Sequence, residues 1–313
     1  MTPKIGYLLP TRERVMEGSP DGVALMELAQ RAENLGYDSV WIGDSLIDRP
    51  RHEPLTMLAG VAACTKEITL GTAVLLPALR NPILLAQQVA TLDQLSAGRF
   101  ILGIGIGPNN HQGVKAEFVA AGVPFDKRVG RILESMRLCR ALWSGEPVNW
   151  TGRWHLKKAT LGPKPYRSGG PPIWMGGSSS GSIQRAGCYF EGWMPHPPKA
   201  KEFRERWIKV KNTASKAGRD PSKITGAMYM TLKIDEDTAA AEAHIEKFFE
   251  AYYPGRGEQI RLSSSCYAGG VLGAAEYLKS YAEAGATHFV LRFAGNHETQ
   301  LEKMAGVRNE LGW

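Results

Sequence analysis

Cysteine is scarce in this chain: Cys64, Cys139, Cys188 and Cys266 are the only four in 313 residues. They are far apart and form no Cys-x-x-Cys, which indicates neither a zinc site nor a disulfide framework, so they read as reduced, mostly packed thiols. No metal is expected. Long hydrophobic runs are also missing, since no segment reaches the roughly 20 apolar residues of a membrane span. The first strand-like run, 4–9, is not preceded by the basic and apolar stretches of a secretory signal. The expected compartment is therefore the cytoplasm, with no membrane partner. A block of one charge is absent as well. The formal charge is +7, but lysines and arginines are spread among acids, which argues against a nucleic-acid partner and leaves a modest preference for anionic ligands. Two nucleotide signatures fail: no GKS or GKT ending follows a glycine loop, and Gly103-Ile104-Gly105-Ile106-Gly107-Pro108 breaks the G-x-G-x-x-G pattern at Pro108.

What is present is a rhythm. Short apolar runs at 4–9, 38–43, 68–75, 99–105, 172–176, 192–195, 224–234 and 287–294 alternate with amphipathic stretches at 22–35, 54–65, 82–96, 132–143, 180–188, 199–217, 238–250, 271–284 and 297–311. The first of these helices ends at Gly36, and Pro54 and Pro82 open the next two, where a first helical turn tolerates proline. Repeated strand–helix units near 30 residues each predict a parallel sheet with right-handed crossovers. Eight units with no linker favour one α/β domain over 1–313, a closed (β/α)8 TIM barrel, over an open doubly wound sheet. Insertions are expected at about 108–128, 145–170 and 251–270, the second a hairpin and the third a long lid-like loop.

In such a barrel the site gathers at the C-terminal strand ends. The strand ending at Gly176 runs into Gly177-Ser178-Ser179-Ser180-Gly181-Ser182 and then a helix. That is an anion cradle, because glycines let the backbone come close while hydroxyls and free helix N–H groups donate. A cofactor phosphate is the natural guest, and a strand-to-helix turn without a ligand is the alternative. Trp41-Ile42-Gly43-Asp44-Ser45 places a carboxylate and a hydroxyl at the mouth, to orient a cofactor or to cap a loop. Gly71-Thr72-Ala73-Val74 sets small residues where a flat ring could lie, and Gly105 and Gly107 suit close approach by a ligand or a neighbouring strand.

Four segments carry a resemblance over almost the whole chain: Asp38-Ser39-Val40-Trp41-Ile42-Gly43-Asp44, Ile68-Thr69-Leu70-Gly71-Thr72-Ala73-Val74, Leu92-Asp93-Gln94-Leu95-Ser96-Ala97-Gly98-Arg99-Phe100 and Pro172-Ile173-Trp174-Met175-Gly176-Gly177. In this order and spacing the chain resembles the bacterial luciferase-like monooxygenases, a superfamily of flavin- and deazaflavin-dependent barrels. The resemblance implies a cis peptide at Ala73-Val74 under the ring, a phosphate loop at Gly176, Gly177, Ser178 and Ser179, and ring or ribityl contacts from Asn109 and Asn110. One departure is Ser45, where many relatives have histidine. Serine cannot act as a base near neutral pH, so a proton-transfer group would come from His52, Glu53, His111, Glu117 or His196. Trp154, His155, Tyr252, Tyr253, Arg256 and Tyr267 are expected to cover the mouth, or to pack at an oligomer interface or over the helices, and Arg292 to bind an anion or form a rim salt bridge.

The implied activity is a monooxygenase that uses reduced FMN, delivered by a separate reductase, and oxygen to act on a small organic substrate. The first alternative is hydride transfer with coenzyme F-420. A non-catalytic flavin-binding barrel and an unrelated isomerase or aldolase barrel are further alternatives, since this fold hosts many chemistries. A homodimer or homotetramer is expected.

Overall fold

The computed structural model describes residues 2–108, 111–195 and 199–313. In chain order the elements are β1 (Lys4–Leu8), α1 (Glu13–Met16), α2 (Gly22–Asn34), β2 (Ser39–Ile42), α3 (Pro54–Cys64), β3 (Thr69–Thr72), α4 (Pro82–Leu95), β4 (Phe100–Ile104), α5 (Gln112–Ala120) and α6 (Arg128–Trp143). They continue with β5 (Val148–Thr151), β6 (His155–Ala159), β7 (Ile173–Gly176), α7 (Ser180–Tyr189), β8 (Gly192–Met194), α8 (Ala200–Lys216), β9 (Thr225–Ile234) and α9 (Thr238–Tyr252). The chain closes with α10 (Gly257–Leu262), β10 (Cys266–Gly269), α11 (Val271–Glu283), β11 (His288–Phe293) and α12 (His297–Leu311).

The parallel strands run in the order β11-β1-β2-β3-β4-β7-β8 and close through β9, which pairs with both β8 and β11. This is the closed eight-stranded barrel that the rhythm predicts. Two tryptophans fill its lower interior, and glycines make room for them. A Cβ on Gly6 would lie 2.6 Å from Trp41 Nε1, one on Gly71 2.8 Å from Trp41 Cη2, and one on Gly192 2.6 Å from Trp174 Nε1. Leu8, Ile101, Met194, Ala227 and Val290 complete this inner plug, and Ala73, Val74 and Tyr229 pack on it.

Helix starts follow local chemistry. Asp21 caps α2 by accepting from Val23 N at 2.8 Å, Asn81 caps α4 by accepting from Ile83 N at 2.9 Å, and Pro54 and Pro82 sit in the first turns of α3 and α4. The hairpin expected in 145–170 is present as β5 and β6. Residues 251–270 are not the long loop expected: they hold α10 and β10, and β10 pairs with Thr231–Ile234, the upper half of β9 that extends past the barrel. Among the described residues, no helix is long and apolar enough to cross a membrane.

Candidate functional site

Val74 shapes the centre of the mouth. Its side chain lies against the ends of two strands, so a Cβ on Gly105 would come within 2.5 Å of Val74 Cγ2, and one on Gly176 within 3.0 Å of Val74 Cγ1 and 3.1 Å of Ile104 O. Both glycines are therefore required by a neighbouring segment. The Ala73-Val74 peptide is cis, as the resemblance implies. Backbone bonds from Leu75 N to Gly103 O and from Gly105 N to Leu75 O, each 2.8 Å, fasten the segment after it to β4.

On one side stands the Gly/Ser loop. Gly177 adopts φ +105°, a conformation that disfavours any side chain. Its N–H donates to Met194 O at 3.1 Å, and its carbonyl accepts from Trp193 Nε1 at 2.9 Å. Ser179 caps α7 by accepting from Ser182 N at 3.2 Å. Arg185, one turn into α7, donates from Nη2 to Ser182 Oγ at 3.3 Å, while its Nε is buried without a hydrogen-bond partner among the described residues. Burial, then the charge of Arg128, pulls the Arg185 pKa down. An anion here would give the buried Arg185 Nε an acceptor. Arg128 is fixed by bonds to Ile106 O and Phe125 O at 2.9 and 2.7 Å and by stacking 3.6 Å over the Phe125 ring. Gly107, at φ +73°, turns the chain beside it.

A cavity of about 680 Å³ starts at this loop and runs between α7 and α8. Ser178 and Ser180 line its near end, Arg206, Lys209 and Lys216 line its length, Arg206 being paired with Glu202 at 3.1 Å, and no acid lines it among the described residues.

On the opposite side the chain gathers arginines and phenols. Arg292, at the top of β11, is 3% exposed and bonds Thr231 Oγ1 through Nε and Nη2 at 3.0 and 2.7 Å. Its guanidinium sits 4.6 Å from the centre of the Tyr252 ring and 5.6 Å from that of Tyr229. Burial works against its charge, but the phenols of Tyr229, Tyr253 and Tyr252 and the carboxylate of Glu13 outweigh that and hold its pKa above the usual arginine value. Arg12 lies 4.0 Å over the face of Tyr252. Arg51 occupies the space that a Cβ on Gly43 would take, beside Ala73 O. Tyr253 Oη is 3.5 Å from Arg292 Nη1; burial pushes this phenol up, but Arg292, Arg49 and Arg12 bring it below its ordinary range.

The other residues singled out in the sequence hold the loops around this mouth. Asp44 accepts from Leu76 N at 2.8 Å and from both Arg80 Nη atoms at 2.5 and 3.0 Å. Ser45 Oγ donates to Glu117 Oε1 at 2.6 Å and accepts from Arg49 N at 2.9 Å, and the same Glu117 oxygen takes Ile47 N and Asp48 N. Glu53 caps α3 and also bonds Arg80 at 3.0 Å. His52 reaches the carbonyls of Thr11 and Pro20. His111 caps α5 and lies 3.4 Å from Asp48; burial, countered by Asp48, lowers its pKa. Trp154 packs on the core under Arg131, His155 is exposed, Arg256 precedes α10, and Tyr267 stacks on Tyr277. Asn109, Asn110 and His196 lie outside the described residues.

Sequence reasoning passed over Arg12, Arg51, Arg128 and Arg185. Arg12 had a signal, since it lies in the short segment that follows the first strand, as Asp44 lies in the one after the second.

Comparison with known proteins agrees with this architecture. The family model described as luciferase-like monooxygenase matches residues 3–312. A 5,10-methylenetetrahydromethanopterin reductase of Methanolobus tindarius is 32% identical over 215 residues, covering 69% of this chain and 63% of that protein. An F-420-dependent glucose-6-phosphate dehydrogenase of Kineococcus radiotolerans is 34% identical over 229 residues, covering 69% and 66%. The chain thus spans slightly less than two thirds of the length of these relatives. The solved structure of an F-420-dependent secondary alcohol dehydrogenase, in complex with an F-420-acetone adduct, superposes with a TM-score of 0.83 at 23% identity over 99% of both chains, a likeness of fold. With the barrel closed and the family match running nearly end to end, the chain belongs to the luciferase-like monooxygenase family, whose members named above are reductases and dehydrogenases.

Proposed function

We propose that the protein is an oxidoreductase that uses coenzyme F-420 to transfer hydride to or from a small organic substrate. The observation that carries this reading is the basic cavity, lined by Lys209 and Lys216, that leads away from the Gly/Ser loop. FMN ends at its phosphate, whereas the deazaflavin coenzyme continues beyond it into an anionic peptide tail, which such a groove would suit. Two of the compared relatives are also named as F-420-dependent. The flavin monooxygenase first expected from the sequence becomes the second reading, favoured by the family's own description.

The residues present fit such a cofactor. The buried Arg185 Nε, without a partner among the described residues, and the hydroxyls of Ser179 and Ser182 would hold its phosphate, with Gly177 leaving room for its approach, and Val74 would lie beneath its ring. The bound deazaflavin supplies the hydride chemistry. The chain supplies position and a proton. Ser45 is committed to Glu117 and Arg49 N, so it holds the 45–49 loop. Tyr253, half-buried and acidified by Arg292, Arg49 and Arg12, is the group we assign to proton transfer at its Oη. The partners in this reading are a small organic substrate and a separate enzyme that recharges the cofactor, in the cytoplasm and within a homodimer or homotetramer.

The test is anaerobic titration with reduced F-420 and, in parallel, reduced FMN, followed by mixing with oxygen. Tighter binding of F-420 and no oxygen-dependent product supports hydride transfer. Preference for FMN with oxygen consumption would replace it with the monooxygenase.

A further inference from the structure

Arg12, Arg51 and Arg292 reach the same side of the mouth from the segments after β1 and β2 and from the top of β11. Glu13 is the carboxylate among them, with influence on both Arg51 and Arg292. Arg49 belongs to a separate pair, 3.4 Å from Asp48. Among the described residues these three guanidiniums therefore face one acid in a setting walled by Tyr229, Tyr252 and Tyr253, and the balance is incomplete in hydrogen bonds as well. Arg12 is 8% exposed, yet its Nε and Nη1 have no hydrogen-bond partner among the described residues, and neither has Glu13 Oε1. The face of Tyr252 stabilises the Arg12 charge but accepts no N–H bond in its plane. Buried donors left without acceptors are costly, and guanidinium forks match the two oxygens of a carboxylate or the several of a phosphate.

We propose that this side of the barrel mouth is an oxyanion subsite, built by Arg12, Arg51 and Arg292, that takes the carboxylate or phosphate of the substrate. The word substrate rests on the oxidoreductase reading above; the anion site itself does not. The site lies apart from the Gly/Ser loop: its arginines come from β11 and the segments after β1 and β2, while Arg185 and Arg128 come from α7 and α6. It takes a second negative group, independent of a cofactor's phosphate.

The experiment is calorimetric titration of the cofactor-free protein with benzoate, with its neutral isostere benzamide and with inorganic phosphate, at constant ionic strength. The expected result is saturable binding of benzoate or phosphate, at least tenfold tighter than benzamide. Binding should weaken at least tenfold in Arg12→Gln and be partly retained in Arg12→Lys. Benzoate alone identifies a carboxylate subsite, and phosphate alone a phosphate subsite provided its affinity falls in Arg12→Gln, since phosphate held at the Gly/Ser loop would not respond to that substitution. Should Arg12→Gln fail to fold, Arg51→Gln carries the same comparison. The proposal is overturned if wild-type protein binds neither anion, if benzamide binds as well as benzoate, or if the folded variant keeps full affinity. Titration of the same samples with reduced F-420 separates the two claims. Anion binding without cofactor binding removes the hydride-transfer reading and leaves the subsite, whereas cofactor binding without anion binding removes the subsite alone.

Discussion

Trp41 and Trp174 meet inside the barrel with ring centroids 5.2 Å apart and planes 30° from parallel, and His288 stands edge-on to both. Two indoles fit inside an eight-stranded barrel because the strand positions facing them have no side chain. Ser39 Oγ joins the group, 2.7 Å from both Trp41 Nε1 and His288 Nε2, so the buried indole and imidazole are satisfied without water. Gly71→Ala should therefore overpack this plug. A loss of about 1 to 3 kcal/mol is expected, measured by urea unfolding. An unchanged midpoint would mean that the plug has slack the packing does not show.

Asp44 offers a second test, because its place after β2 suits a cofactor contact while its bonds are structural. Its carboxylate is 2% exposed and paired with Arg80, which is 13% exposed. With Leu76 N as a further donor, it anchors the segment that follows Val74. Without Asp44 the mostly buried Arg80 keeps only the exposed Glu53 as a charged partner, so Asp44→Ala should cost about 3 kcal/mol, the low end for breaking a buried pair. Near-native stability combined with lost cofactor affinity would return Asp44 to a direct binding role.

These two cases mark how far the sequence can be read. The barrel strands were legible because each is a short apolar run bounded by a helix start or a turn. β10 was not: Cys266-Tyr267-Ala268-Gly269 has no alternation, and it becomes a strand only because β9 runs on past the barrel to pair with it. The Gly/Ser loop was legible as a contiguous motif. Of the arginine cluster only Arg292 was singled out, as an anion partner or a rim salt bridge; its grouping with Arg12 and Arg51 was not legible, because they come from separate elements and only barrel closure brings them together. Glycines were visible as glycines, but their reason was not: Gly105 and Gly176 make way for Val74, a contact that needs three strands in register.

Acid should weaken the fold through two histidines. Burial, then Lys4, lowers His288 to about 3 from 6.5, and burial, then Arg14, lowers His297 to about 3 from 6.5. Both are neutral in the folded state and take up protons on unfolding below pH 6.5. Their contribution is fully present above that pH and is lost as pH falls towards the folded values. Each should add a slope of at most about 1.4 kcal/mol per pH unit in that window. His297 meets Tyr7 Oη at 2.8 Å through Nδ1, so His297→Gln should lower overall stability yet flatten the decline between pH 6 and 4, an estimate of about half the histidine slope. Urea unfolding across that range measures it, and an equal slope in wild type and variant would sink the assignment.

Arg185 carries the test of the cofactor cradle. Its hydrogen bond to Ser182 Oγ, at 3.3 Å, is a weak restraint, and its Nε has no acceptor among the described residues. The guanidinium therefore contributes little to the fold, but it sits where a phosphate would complete it. A bond between charged groups is worth about 1.5 to 3 kcal/mol, which converts to an affinity change of roughly 10- to 150-fold. Arg185→Gln should weaken reduced F-420 by that factor in a fluorescence titration while shifting the thermal midpoint by no more than a few degrees. FMN should lose affinity in parallel, since both cofactors present a phosphate to the same loop. Lys209→Gln, in the groove beyond it, should weaken F-420 and leave FMN unchanged, because only the deazaflavin continues past its phosphate. If both variants weaken the two cofactors equally, the groove is not reading the tail, and nothing in it favours F-420 over FMN.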